Sequence, residues 1–159
     1  MPVYKRRTHV DAPLESVWEF HSDISGLEAL TPRWMNLEVE AVRGPDGNET
    51  PEELVSGTEI EMSMRPFGIG PRQRWTSRIL DRGANETTAW FRDDMTGGPF
   101  ARWVHTHRFA ADGDRTIVED RVEYQLPFGP LGRAAGVFGD FGLEPMFRDR
   151  HRRTKRLLE

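Results

Sequence analysis

Cysteine is absent from the 159 residues, which removes disulfides, thiolate nucleophiles and thiolate metal sites at once. A chain built without disulfides suits a reducing compartment, and a cytoplasmic location is expected. Runs of about 18 consecutive apolar residues are missing. The basic N-terminal segment MPVYKRRTHVDAP also lacks the apolar stretch that follows the charges of a secretory signal. Neither a transmembrane segment nor export is expected. Lysine is scarce, with only Lys5 and Lys155 beside many arginines, an imbalance that carries no chemistry by itself. Phosphate-binding glycine loops, nucleophile elbows and zinc-protease signatures are all lacking. No internal repeat, low-complexity tract or linker-like shift of composition divides the chain, so residues 1–159 are read as one domain.

What is present is apolar material in a soluble background: 36% hydrophobic residues, including 9 Phe and 5 Trp, beside 30% charged. That is enough for a core in a chain close to the usual domain size of about 100–150 residues. The net charge is −4, yet Arg148, Arg150, Arg152, Arg153, Lys155 and Arg156 gather near the end. A basic tail of this kind can touch RNA, DNA or a membrane surface. Cations at the C-terminal end of a helix, where they favour the negative end of the dipole, account for it more simply, and no nucleic-acid partner is expected.

Val3–Val10 alternates as a strand does, and Asp11-Ala12-Pro13 then reads as a helix start with Asp11 as the N-cap. Leu14, Val17, Trp18 and Phe20 form a helical stripe, and Ser22-Asp23 offers a second cap before Ile24–Leu30. From Met35 the period becomes two, with Leu37, Val39 and Ala41 on one face, until Arg43-Gly44-Pro45-Asp46-Gly47-Asn48 breaks it. The charged, proline-containing stretch 49–53 is expected to be the most mobile part of the chain. Strand signals return at Thr58–Met64, Arg72–Leu80, Thr87–Asp93, Phe100–Phe109 and Thr116–Leu126, with Arg82-Gly83-Ala84-Asn85, Thr96-Gly97-Gly98-Pro99 and Asp112-Gly113-Asp114 as turns. Such short connections join antiparallel neighbours, not parallel ones. Gly129 to Leu158 reads as one long helix, weakened in its first half by Gly136, Gly139, Gly142 and Pro145.

Because a strand alternates faces, each segment divides by parity into an inner and an outer set. Ile60, Met62 and Met64 oppose Glu59, Glu61 and Ser63, while Gln73, Trp75, Ser77 and Ile79 oppose Arg72, Arg74, Thr76 and Arg78. Trp103, His105, His107 and Phe109 oppose Arg102, Val104, Thr106 and Arg108. Val118, Asp120, Val122 and Tyr124 oppose Glu119, Arg121, Glu123 and Gln125. Two histidines and one aspartate therefore fall on otherwise apolar faces.

This order of elements, with Gly98-Pro99-Phe100, Trp103-Val104-His105-Thr106-His107-Arg108-Phe109 and the stretch from Asp120-Arg121-Val122-Glu123-Tyr124 through Pro127-Phe128-Gly129-Pro130-Leu131-Gly132, resembles the SRPBCC superfamily. That superfamily contains the START lipid-transfer domains, plant pathogenesis-related ligand binders and aromatic polyketide cyclases. The likeness covers essentially the whole chain and is greatest to the bacterial and archaeal branch described as cyclase or dehydrase-like. It implies an α+β helix-grip fold in which a curved antiparallel sheet of about seven strands, two short helices and a long C-terminal helix enclose a cavity. The superfamily hosts many functions in that cavity.

Trp34, Met62, Met64, Trp75, Trp90, Phe91, Trp103 and Tyr124, together with His105 and His107, are the candidate lining, an aromatic and thioether surface suited to a greasy or flat molecule. Ordinary packing explains most of them equally well, and the resemblance is what favours a cavity. His105, His107 and Asp120 are the catalytic candidates: an aspartate that orients an imidazole supports the acid–base chemistry of a cyclase or dehydratase. The same three residues also make sense as a satisfied buried network. Metal binding is not expected, since the pair alone is a weak ligand set and His9, His21 and His151 have no evident route to it; no cofactor is expected either. Three functions stay open: binding, transport or sequestration of a small hydrophobic molecule, a cyclase-like enzyme, or a protein-interaction module of the same fold. The oligomeric state is left open.

Overall fold

The computed structural model describes residues 2–47, 53–127 and 139–159. Most of the stretch 49–53 expected to be mobile, and the first part of the helix expected from Gly129, lie outside the described residues. The element order is β1 (Val3–Val10), α1 (Leu14–His21), α2 (Ile24–Leu30), β2 (Glu38–Arg43), β3 (Glu59–Met64), β4 (Gln73–Ala84), β5 (Thr88–Gly97), β6 (Arg102–Asp112), β7 (Arg115–Gln125) and α3 (Gly139–Leu158). Single 3-10 turns occupy Arg33–Met35 and Pro66–Gly68. The alternating segments join into one seven-stranded sheet, β1-β7-β6-β5-β4-β3-β2, with every pairing antiparallel. This is the meander that the short turns require, closed at one edge by the return of β1. Register shifts at Val39/Ala41 and Ile79/Asp81 are the kind of irregularity that bends a sheet and deepens its twist.

β5 runs on past the expected end at Asp93, taking in Thr96 and Gly97 of the expected turn, and two other boundaries differ for local physical reasons. Arg82, Gly83 and Ala84 continue β4 rather than forming the turn. Gly83 is tolerated there because Trp90 of β5 lies across it: a Cβ on Gly83 would sit 2.9 Å from Trp90 Nε1. The turn moves on to Asn85, whose Oδ1 accepts from the backbone N–H groups of Thr87 and Thr88 and so supplies the local fold-back that Asx residues favour. At the start of α1 the N-cap is Pro13, without a side-chain cap. Asp11 instead faces Arg115 at 3.9 Å, so the expected Asp11 cap does not form, whereas Asp23 does cap α2 by accepting from the N–H of Ser25.

The three helices cover the inner face of the sheet in two patches. Val17 and Leu30 of the short helices are fully buried, and Val17 packs with Val10, Ile79 and Phe109. On the other side Leu143, Phe147, His151 and Thr154 form the buried stripe of α3 at the spacing of successive helical turns. Phe147 stacks on Tyr4 with ring centroids 5.3 Å apart, and Glu144 accepts from both Tyr4 Oη and Arg6 Nη1 at 2.5 Å, fastening α3 to β1. Arg148, Arg152, Lys155 and Arg156 lie on its exposed face, as cations decorating the end of a helix do. No helix among the described residues is long and apolar enough to cross a membrane.

His21 closes α1 in a buried position, its Nδ1 2.7 Å from the carbonyl of Val17. Burial pushes its pKa down to about 3, assisted by the nearby Arg150 charge. A histidine kept neutral in the fold and free to protonate when unfolded gives stability that is complete above its unfolded pKa of about 6.5 and lost as pH falls toward the folded value. Between about pH 6.5 and 4.5 the wild type should therefore lose about 2–3 kcal/mol more than His21→Gln. Denaturant titrations of both proteins across that window read the difference, and parallel pH profiles would contradict it.

Candidate functional site

Between the two packed patches lies a cavity of about 580 Å³, within the range of small-ligand sites. β3 contributes Met62 and Met64, β4 Trp75, β5 Phe91, and β6 Trp103, His105 and His107. Trp34, from the 3-10 turn at Arg33–Met35, also lines it and stacks on the exposed Phe67, centroids 4.9 Å apart. Eight of the ten expected lining residues thus converge. Trp90 does not, because it neighbours Phe91 on β5 and must point to the opposite face, where it meets Gly83. Tyr124 has the expected inward parity but does not line the cavity. It is fully buried among Trp103, Leu143 and Phe147, since α3 covers this part of β7 and leaves no open space. Glu119, Arg121 and Glu123 lie on the outer face, partly exposed.

One compact polar cluster interrupts the apolar wall. Asp120, 2% exposed, sits behind the lining and accepts from His105 Nε2 through Oδ1 at 2.7 Å and from His151 Nε2 through Oδ2 at 2.5 Å. His107 presents Nδ1 3.3 Å from the same Oδ1, and its Nε2 donates to Asp93 Oδ2 at 2.9 Å. Ser77 donates to the other Asp93 oxygen at 3.4 Å. The imidazoles of His105 and His107 lie side by side, centroids 3.6 Å apart and planes tilted by 35°, and Phe91 stacks on His107 at 3.9 Å.

The electrostatics follow from burial and partners. Burial opposes a charge on Asp120, but hydrogen bonds from three imidazoles outweigh it and hold the carboxyl well below the usual range. His107 is buried as well, yet its position between Asp120 and Asp93 raises its pKa. His105 is pushed down to about 4 by burial and by the His107 charge beside it. The opposite directions of the two shifts make His107 the better proton holder of the pair, and His105 the ring that donates Nε2–H to Asp120 and keeps Nδ1 as a lone pair.

Asp93 and His151 are functional neighbours that the sequence candidates do not include. Asp93 shares the inward parity of Phe91 and pairs in register with His105, a signal that a parity split of β5 exposes. His151, which has no evident route to the pair in the sequence, reaches it through the fold. The stripe Leu143, Phe147, His151 carries it over the sheet to Asp120. α3 also places Arg150 on the cavity wall, and no carboxylate among the described residues pairs with that guanidinium.

With this geometry in place, the comparisons with known proteins become specific. The family model for polyketide cyclase / dehydrase and lipid transport matches residues 1–159. The chain belongs to this family. Solved structures with the same helix-grip architecture include TTHA0849 from Thermus thermophilus, with TM-score 0.68 and 18% identity over 98% of this chain and 95% of that one. A protein from Arthrobacter aurescens has TM-score 0.69 and 15% identity, over 98% and 85% of the two chains. Norcoclaurine synthase from Thalictrum flavum has TM-score 0.65 and 18% identity, over 99% and 86%. At these identities the likeness is one of fold. No protein of curated function matches the sequence.

Since Asp120 is satisfied by donors from both the sheet and α3, Asp120→Asn should cost about 1–3 kcal/mol by leaving buried ring N–H groups without a carboxylate. Glu119→Gln, which removes the exposed pairing with Arg7, should cost less than about 1 kcal/mol. Urea midpoints of the two variants test this, and equal midpoints would refute the structural role of Asp120.

Proposed function

We propose that this protein binds a small, mostly apolar molecule bearing one polar or acidic group. The observation that carries the reading is an apolar cavity of ligand size whose wall holds one compact polar cluster, with Arg150 on the neighbouring helix. Apolar walls supply affinity through the area they remove from water, and a few convergent polar groups fix orientation. Arg150 on an apolar wall favours a carboxylate, because an unpaired guanidinium gains most from a planar anion in a poorly hydrated site. The family description includes lipid transport, and the norcoclaurine synthase structure holds dopamine and hydroxybenzaldehyde, which supports small-molecule occupancy of this fold. The cysteine-free composition supports a cytoplasmic setting.

A second reading, acid–base catalysis of a cyclisation or dehydration, is favoured by one feature. His105 stands on the cavity wall with Asp120 behind it, the arrangement that fixes an imidazole tautomer and leaves the opposite nitrogen to accept a proton. Binding and catalysis differ in what happens to the bound molecule, and native mass spectrometry with candidate ligands separates unchanged mass from product.

An environment-sensitive apolar dye should bind the folded protein and be displaced by long-chain or polycyclic carboxylic acids, not by sugars or nucleotides. Arg150→Gln should weaken displacement by the acids about tenfold, equivalent to roughly 1.4 kcal/mol and the scale of one charge-assisted hydrogen bond, and leave neutral analogues unchanged. Competition by nucleotides alone would overturn the ligand class.

A further inference from the structure

The geometry points to a binding site for a divalent transition-metal ion formed by Asp93, His105 and His107 on the cavity wall. One donor atom from each of the three residues lies within 4.8 Å of the others, so modest inward side-chain movement brings them around one ion at bonds of about 2.0–2.2 Å. They come from neighbouring strands: Asp93 of β5 stands in register with His105 of β6, and His107 follows on the same face.

Three features distinguish this cluster from a chance meeting of polar groups. The imidazoles are already oriented by a carboxylate that is not itself a ligand. Asp120 engages Nε2 of His105 and faces Nδ1 of His107, which leaves Nδ1 of His105 open and Nε2 of His107 turned to Asp93 Oδ2, whose mutual hydrogen bond a cation would replace, the arrangement in which an outer carboxylate fixes the tautomer of a metal-bound histidine. Asp120 is itself anchored by His151 from α3, and Asp93 by Ser77 from β4, so the ligands are held from several elements at once. The second feature is charge. The carboxylates of Asp93 and Asp120 flank His105 and His107 in a buried wall, and among the described residues neither forms an ion pair with a lysine or arginine, so a divalent ion there would offset them. The third is coordination. Two imidazoles and one carboxylate suit Fe²⁺, Co²⁺ or Zn²⁺ better than Mg²⁺ or Ca²⁺, and three protein ligands leave positions open toward the cavity, where water or an oxygen of a bound molecule fits.

The inference stands apart from the ligand reading. Metal titration uses the empty cavity, and dye displacement can be run in excess chelator, so either can fail while the other holds. The chelator-treated protein should take up one equivalent of Co²⁺, with visible absorption of four- or five-coordinate cobalt, and one equivalent of Zn²⁺ by calorimetry. His107→Gln and Asp93→Asn should each weaken binding at least about tenfold, and Asp120→Asn about 10–100-fold. His9→Gln removes the exposed histidine beside Asp112 and should change nothing. Because a variant in this buried cluster can fail to fold, cobalt broadening of NMR resonances in the wild-type chain locates the ion without substitution, and broadening centred on β5 and β6 supports the site. Absence of stoichiometric uptake by the wild type, broadening centred on His9, or unaltered affinity in folded His107→Gln and Asp93→Asn would overturn it.

Discussion

A carboxylate sealed from water must find its hydrogen-bond donors within the protein, because an ionised oxygen left without them costs several kcal/mol. Asp120 meets that requirement only when β7 lies beside β6 and α3 crosses above both. His105 and His107 come from the adjacent strand and His151 from a helix 31 residues further along the chain. The bond from His151 joins the long helix to the sheet at the point where the apolar stripe of α3 also lands, with Phe147 edge-on to His105 at 5.1 Å. The polar tie and the hydrophobic contact thus require the same register. A shift of α3 by one residue would withdraw His151 and Phe147 together, so the cluster specifies the position of the helix as well as stabilising it.

The cavity follows from where that helix is placed. α3 packs through Leu143 and Phe147 against Tyr4, Trp103, Val122 and Tyr124, while α1 lies against the opposite patch with Val17 and Trp18 near Phe109. A bent sheet held by helices at two places keeps a space between them, and the lining there is left to Met and Trp side chains, whose size and adaptability tolerate an incompletely filled volume. The polar cluster sits at the boundary, with His105, His107 and Asp93 facing the cavity and Asp120 and His151 behind them. Among the described residues, the groups behind the wall are fully engaged except for Nδ1 of His151, which is buried without a partner. Those in front retain capacity for a ligand or an ion.

Much of the fold is legible in the sequence because its burial is one-sided. Where a strand has a charged outer face, as in Glu59–Met64 or Arg102–Phe109, parity alone assigns the inner residues, and the structure places Met62, Trp103, His105 and His107 as parity requires. Ser63 also keeps its outer position, yet is fully buried because Arg72 and Glu40 close over its hydroxyl. Parity says nothing about depth, which is why Tyr124 points inward but is covered by α3 while Trp75 reaches the cavity. Trp90 and Phe91 cannot both line one face. Bulk draws attention to the tryptophan, and the glycine opposite it reads as a turn, although it is the space that the indole occupies. Asp93 and His151 are hidden because their partners are set by cross-strand register and by the path of a helix, which local periodicity does not contain.

The low polarity of the surroundings gives the cluster its chemical reach. In water, two carboxylates and an imidazolium would be screened, and their mutual effects small; inside a wall of Met, Phe and Trp side chains each interaction is several-fold stronger. The same environment separates two adjacent histidines that have the same intrinsic basicity. Rings 3.6 Å apart cannot readily both carry charge. The one between two carboxylates is held the more basic, and burial makes its neighbour the less so. Whatever enters that space therefore meets two imidazoles of unequal basicity on one strand, each held by an aspartate. The protein has differentiated two identical side chains solely by what stands next to them.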